Sequence, residues 1–244
     1  MEAAEEITDR VKFEPLPKQR PFWNAVWQGV KRCFFIGGIR SGKTVVGGWA
    51  FVLLALVYGE RLITQTLGPV YFWFCSPSHD GCQRQHDEIK KILNLVVGSE
   101  NYHYRASKRW FELFDDRLRL CQRTADDPEL LKSFTVEVIW LDEPGRTKRN
   151  AYRALVGRLA DAHLGQMINT GTPKRAFSPW LNAEYKANKR SPRYSWAFSH
   201  TRDNPTLKPE EVHQLELDYP GEYGREELGG EFLESWSGLI YPKF

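Results

Sequence analysis

Eight consecutive residues, Gly37, Gly38, Ile39, Arg40, Ser41, Gly42, Lys43 and Thr44, constrain this chain more than any other part of it. They satisfy G-x-x-x-x-G-K-[ST], and their flanks supply the context the pattern requires: a short apolar run at 33–36 before them and a long one at 45–58 after them. The order is strand, tight turn, helix. Gly37 and Gly42 let the backbone curl so that successive N–H groups face a β-phosphate, and the positive end of the following helix adds to that field. Lys43 reaches the β- and γ-phosphates, and Thr44 offers a hydroxyl to Mg²⁺. Arg40 and Ser41 lie inside the loop, where they reach either the nucleotide or a neighbour; a solvent-facing Arg40 is the alternative. ATP and Mg²⁺ are the expected ligands.

A second apolar strand, 136–141, ends in Asp142 and Glu143. The two carboxylates differ by position: Asp142, at the strand end, suits Mg²⁺, while Glu143, one residue on, is placed to orient and deprotonate an attacking water. An acidic pair after a strand is commonly just a solvated loop. With a phosphate loop upstream it reads as catalytic, and a carboxylate base beside the metal favours hydrolysis over transfer to a small acceptor. A third strand empties into Thr170, Gly171 and Thr172, whose hydroxyls can bond the γ-phosphate or water and whose glycine lets the turn change shape as phosphate leaves.

The rest of the chain fits an α/β fold. With 244 residues, 41% hydrophobic and 14% aromatic, it can bury one sizeable core. Further strands are expected at 70–75, at 166–169 and more weakly at 194–198, with a hairpin of 110–114 and 117–121 about Asp115 and Asp116 and a polar helix over roughly 80–96. Strands alternating with helices, with chemistry at their C-terminal ends, imply a mostly parallel sheet. Beyond His200, Pro, Glu and Gly punctuation predicts a small helical lid or linker, so the expected division is a core over 1–200 and an appendage over 201–244.

Charge and cysteine content exclude little. A formal net charge of +3 is compatible with nucleic acid without demanding it. Basic residues cluster at Lys31-Arg32, Lys108-Arg109, 146–158 and 186–193, each as easily a solvated face as a DNA contact. Cys33, Cys75, Cys82 and Cys121 lack metal-ligand spacing and read as reduced thiols. The apolar run at 45–58 contains Gly47 and Gly48 and is too short for a bilayer, so no membrane is expected. The acidic N-terminus has no signal-like pattern.

With these motifs in order, the chain resembles the ATPase half of a viral terminase large subunit. Gln19, in Pro17-Lys18-Gln19, resembles the family's adenine-reading glutamine, whose amide both donates and accepts. Residues 124–132 resemble the loop before the acidic pair, 158–161 the segment after it, 170–173 the coupling motif, and 203–205 and 229–232 the link after the core. The resemblance implies a RecA-like (ASCE) P-loop NTPase core and ATP hydrolysis that moves double-stranded DNA into a procapsid. It also implies a portal, a small terminase subunit, a homo-oligomeric ring, a pentamer by analogy, and work in the host cell cytoplasm. Lys132 stands where some ring members carry a basic residue reaching the neighbour's γ-phosphate, with Arg123, Arg146 and Arg149 as alternatives. The acidic cluster of the family's nuclease domain is not in the sequence, and no DNA cleavage is expected. Competing readings are a superfamily-2-like helicase or remodeller, which needs a second similar domain, and a nucleotide-gated assembly module with little turnover. A small-molecule kinase is weaker still, for want of an acceptor pocket.

Overall fold

The computed structural model describes residues 13–126, 131, 134–175 and 178–233. Eight strands form one sheet: β1 (Arg32–Gly37), β2 (Val70–Ser76), β3 (His103–Arg105), β4 (Trp110–Leu113), β5 (Leu118–Thr124), β6 (Val138–Asp142), β7 (Gln166–Gly171) and β8 (Tyr194–Ser199). Their order is β3-β4-β5-β2-β6-β7-β1-β8. Six neighbours, from β8 across to β5, run parallel. Only β3–β4 and β4–β5 are antiparallel, and the latter pair is the expected hairpin. The fold is therefore a mostly parallel, mixed α/β sheet.

Seven helices accompany it among the described residues: α1 (Arg20–Trp27), α2 (Lys43–Gln65), α3 (His79–Val96), α4 (Arg149–Gly157), α5 (Pro179–Asn188), α6 (Pro209–Asp218) and α7 (Gly221–Glu227). The central strands are buried at nearly every position because both faces are covered, which is why β2 and β6 read as apolar runs. Alternate residues serve opposite sides: Phe35, Phe72, Phe74, Val138 and Trp140 pack with α1, α2 and α3, whereas Phe34, Ile36, Trp73, Ile139 and Leu141 pack with α4 and α5. Helix α2 has the length and hydropathy of a membrane span, yet 67% of that stretch is buried inside the protein. It is a core helix laid on the sheet.

Among the strands and α-helices, four fall outside the sequence expectations, β3, α1, α4 and α5, and the first two show why. Strand β3 has only three residues, none of them buried, so no apolar alternation marks it. Helix α1 is short, but it opens with proline in its first turn and buries Phe22, Ala25 and Val26, one face at helical spacing. After Ser199 the described residues hold only a short 3₁₀ turn (Thr201–Asp203), α6 and α7 before the chain returns to the sheet edge. Strands β6 and β7 lie between β1 and β2, which are consecutive in sequence, so the chain diverges at the C-terminal end of β1 and opens a crevice there.

Candidate active site

That crevice collects the motifs. Strands β6, β7 and β1 are adjacent, with Asp142 opposite Thr170 and Ile36 opposite Gly171, so the acidic pair, the Thr-Gly-Thr turn and the phosphate loop emerge side by side. The loop runs from the end of β1 to the first residue of α2, Lys43. Gly42 sits in the left-handed region at φ +79°, a conformation that calls for glycine, and a Cβ there would also displace the Gln19 amide nitrogen, 2.7 Å away. Ser41 Oγ donates to the Gly38 carbonyl at 2.8 Å, which closes the turn.

Lys43 is buried, and its Nζ donates to the Gly38 carbonyl at 2.5 Å. Burial pushes its pKa down, while Glu143 and Asp142 pull it back up. A buried ammonium whose charge is penalised by desolvation is what an incoming phosphate would relieve.

Asp142 is 3% exposed. Its Oδ2 accepts from Thr44 Oγ1 at 3.1 Å and its Oδ1 from Thr170 Oγ1 at 2.7 Å. Thr170 in turn accepts from the Trp140 indole N–H at 2.8 Å, so a buried chain from the β6 core fixes the carboxylate's orientation. Burial, then the neighbouring Glu143 charge, raises the Asp142 pKa to about 6.

Glu143 follows in the left-handed region, φ 59° and ψ 55°, a conformation that costs a non-glycine residue roughly 1 kcal/mol or more. Its backbone N–H donates to the Thr170 carbonyl at 2.7 Å, which holds it there. One carboxylate oxygen, Oε2, is buried and has no hydrogen-bond partner. Gly171 lies against this backbone, since a Cβ on it would meet Pro144 Cδ at 2.7 Å and Glu143 Cα at 2.9 Å. Close approach is what requires glycine at that position.

Both coupling hydroxyls are engaged by protein. Thr170 holds Asp142, and Thr172 Oγ1 donates to the Gly37 carbonyl at 2.9 Å. Gln19 is 4% exposed: its Oε1 accepts from the Leu16 N–H at 3.0 Å and its Nε2 donates to the Gly42 carbonyl at 3.4 Å. It thus bridges the start of the chain to the phosphate loop. Arg40 is exposed at φ 56°, and Ile39 is half-buried beside it. The adjoining cleft, of about 210 Å³, is lined by Ile39, Glu143, Thr172, Arg84, Arg146 and Lys174 among others. A larger open groove at the β3–β4 edge, about 1030 Å³, is lined by Tyr102, Arg105, Glu112 and Asp116 and includes none of the motif residues.

Sequence comparison agrees with this geometry. The family model described as "Terminase large subunit, T4likevirus-type, N-terminal" matches residues 34–244. The chain belongs to the terminase large subunits. Its fold is shared with the large terminase ATPase domain of Thermus phage P74-26, at a TM-score of 0.72 and 14% identity over 94% of this chain and 98% of that one. The large terminase of the thermophilic bacteriophage D6E gives 0.71 and 15% identity over 90% of this chain. That of bacteriophage HK97 gives 0.69 and 14% over 93%. The chain spans 54% of the length of each of the latter two. A comparison with curated proteins finds no match.

Within this terminase chain, Lys132 lies outside the described residues. Of its alternatives, Arg123 stacks over the Trp73 ring at 5.3 Å, whereas Arg146 and Arg149 are exposed and Arg146 borders the cleft. Four residues that touch the motifs or line the cleft escaped the sequence reading: Trp140, Lys174, Thr201, whose hydroxyl donates to the Ile39 carbonyl, and Glu227, whose carbonyl accepts the Ile39 N–H. Trp140 carried a signal, a polar N–H inside an otherwise apolar strand, because a buried indole needs an acceptor. The other three depend on how the C-terminal segment folds back.

Proposed function

We propose that this chain hydrolyses Mg²⁺-ATP and that hydrolysis drives double-stranded DNA into a viral procapsid. One observation carries the reading: the hydrogen bond from Thr44, at the start of α2, to Asp142, at the end of β6, joins the phosphate loop to an acidic pair whose second member has an unpaired buried oxygen. Family membership supports the same reading, as do structures of the D6E large terminase in complex with ADP and with ATP-γ-S.

The residues divide the reaction as follows. The Lys43 ammonium and the backbone N–H groups at the start of α2, those of Lys43 and Thr44, hold the β- and γ-phosphates, while the N–H groups of Gly38, Ile39 and Ser41 are given to the carbonyls of Ser199, Glu227 and Gly38. Thr44 and Asp142 are two adjacent oxygen donors, the small protein contribution that Mg²⁺ takes when phosphates and water supply the rest. When bound, the ion neutralises charge building on the phosphate oxygens. Glu143 accepts a proton from water as that water's oxygen bonds to the γ-phosphorus; the β–γ bridging bond breaks, and its electron pair leaves with ADP. Gln19 reads adenine, and the Thr170–Thr172 turn passes the loss of phosphate on through Asp142 and the Gly37 carbonyl. Duplex DNA, a portal, a small terminase subunit and a homo-oligomeric ring in the host cytoplasm complete the proposed setting, with a basic residue in trans, Lys132 or Arg146, serving the neighbouring site.

Phosphate release and nucleotide binding, measured separately, test this. Glu143→Gln should bind ATP like the unaltered chain and lose about 100-fold or more in turnover, since the amide keeps the shape and takes no proton. Lys43→Ala should lose binding itself. Equal turnover in Glu143→Gln would reduce the chain to a nucleotide-gated assembly module.

A further inference from the structure

Lys174 and Glu227 form an ion pair in the wall of the cleft that Glu143 lines. Both are buried, at 9% and 7% exposure, and both charges act on the Lys43 ammonium. Two buried charges more than fifty residues apart in sequence are costly to assemble, and their attraction repays that cost only in good geometry. Neither belongs to the motifs of the proposed hydrolysis.

Their backbones locate them. Lys174 comes two residues after Thr172, whose hydroxyl holds the Gly37 carbonyl. Glu227 ends α7, and its carbonyl accepts the Ile39 N–H of the phosphate loop at 2.8 Å. The next residue, Leu228, approaches Gly38 so closely that a Cβ there would be 1.9 Å from its carbonyl oxygen. The pair therefore spans from the coupling turn to α7 directly beside the loop.

Resting on the nucleotide reading above, we propose that Lys174 binds the terminal phosphate of a nucleoside triphosphate and that Glu227 is its partner when that phosphate is absent. Three carboxylates, Asp142, Glu143 and Glu227, already border the space next to Lys43. A γ-phosphate entering it repels Glu227 and attracts the Lys174 ammonium, a buried cation outside the loop that lines the same cleft. A diphosphate brings no such charge and leaves the pair intact. Lys174 thus distinguishes triphosphate from diphosphate, and the exchange loosens one of the ties holding α7. Arg175, which pairs with Glu222 at 2.9 Å, keeps α7 tethered meanwhile.

Titration of the full chain with Mg²⁺-ATP-γ-S and with Mg²⁺-ADP tests this. Lys174→Gln should weaken ATP-γ-S binding about tenfold, about 1.4 kcal/mol, and leave ADP affinity unchanged. Lys174→Arg should retain the preference for triphosphate. Glu227→Gln should strengthen ATP-γ-S binding, because no partner then competes for the ammonium. ADP affinity and melting temperature report folding in every variant. An equal loss for both nucleotides in Lys174→Gln, no loss for either, or weaker ATP-γ-S binding in Glu227→Gln overturns the inference while the nucleotide site stands. If the unaltered chain binds neither nucleotide, the site reading falls and this inference with it.

Discussion

Asp142 accepts two hydroxyl hydrogen bonds yet still has its pKa raised to about 6, by burial first and the Glu143 charge second. The native state therefore holds that proton more tightly than the unfolded chain does. Stability from this group is complete below an ordinary aspartate pKa near 4 and is lost as pH rises through about 6. Without nucleotide or metal, Asp142→Asn should melt several degrees higher than the unaltered chain at pH 7.5, and the gap should close by pH 4. No gap at pH 7.5 would mean the carboxylate is not strained by its surroundings. On the proposed function Mg²⁺ would compete with the same proton, so Mg²⁺-dependent nucleotide affinity should fall as pH is lowered through 6, a trend calorimetry would detect. That Lys43, Thr44, Asp142 and Glu143 would meet was legible in the sequence, because each motif fixes residue type and spacing within one turn or one strand end. The Trp140–Thr170–Asp142 chain was not, because it depends on β6 and β7 being neighbours, which no local pattern records.

At the level of elements, α2 shows how closely the site is supported from behind. Glycine in a helix interior costs roughly 0.5–1 kcal/mol relative to alanine, so on propensity alone Gly47→Ala should stabilise α2. Packing reverses the sign. A Cβ at Gly47 would stand 2.7 Å from the Trp140 indole nitrogen and 2.8 Å from Thr170 Cγ2, and overpacking of this kind costs about 1–3 kcal/mol. Gly47→Ala should thus lower stability by about 1–2 kcal/mol in urea unfolding, and turnover should fall further because Thr170 is pushed from Asp142. A midpoint equal to or above that of the unaltered chain would show that α2 has room to lift off the sheet. The sequence displayed Gly47 and Gly48 only as a break in an apolar run. The purpose of Gly47 appears once β6 is seen beneath the helix, whereas Gly48 faces Glu88 and Ile92 of α3, at 3.0 and 3.2 Å from a Cβ there. Strands β1, β2 and β6 were legible because burial on both faces leaves each a short, largely apolar run, whereas three-residue β3 has no buried side to betray it.

Across the whole molecule, residues 200–230 close back on the phosphate loop, tying the end of the described chain to the start of the chemistry. Thr201 Oγ1 donates to the Ile39 carbonyl at 2.7 Å, Asn204 Nδ2 to the Arg40 carbonyl at 2.6 Å, and the Ile39 N–H to the Glu227 carbonyl at 2.8 Å. The helical character of this stretch was readable from its composition; its docking was not, because these bonds use backbone carbonyls that every sequence possesses. Gly38→Ala isolates the docking. Its Cβ would lie 1.9 Å from the Leu228 carbonyl oxygen and 2.5 Å from Thr201 Oγ1, and rotating a side chain cannot relieve the first collision because the obstacle is backbone. Either the phosphate loop deforms or residues 226–230 move away, and the loop is held by Ser41, Thr172 and the end of β1, so the C-terminal segment should yield. Amide hydrogen exchange should therefore accelerate at Ile39 and over 221–230, while protection in β1, β6 and β7 persists, and nucleotide affinity should drop about tenfold or more. Unchanged exchange over 221–230 would show that the segment is not braced by the loop, and the proposed route from nucleotide to α7 would lose its footing.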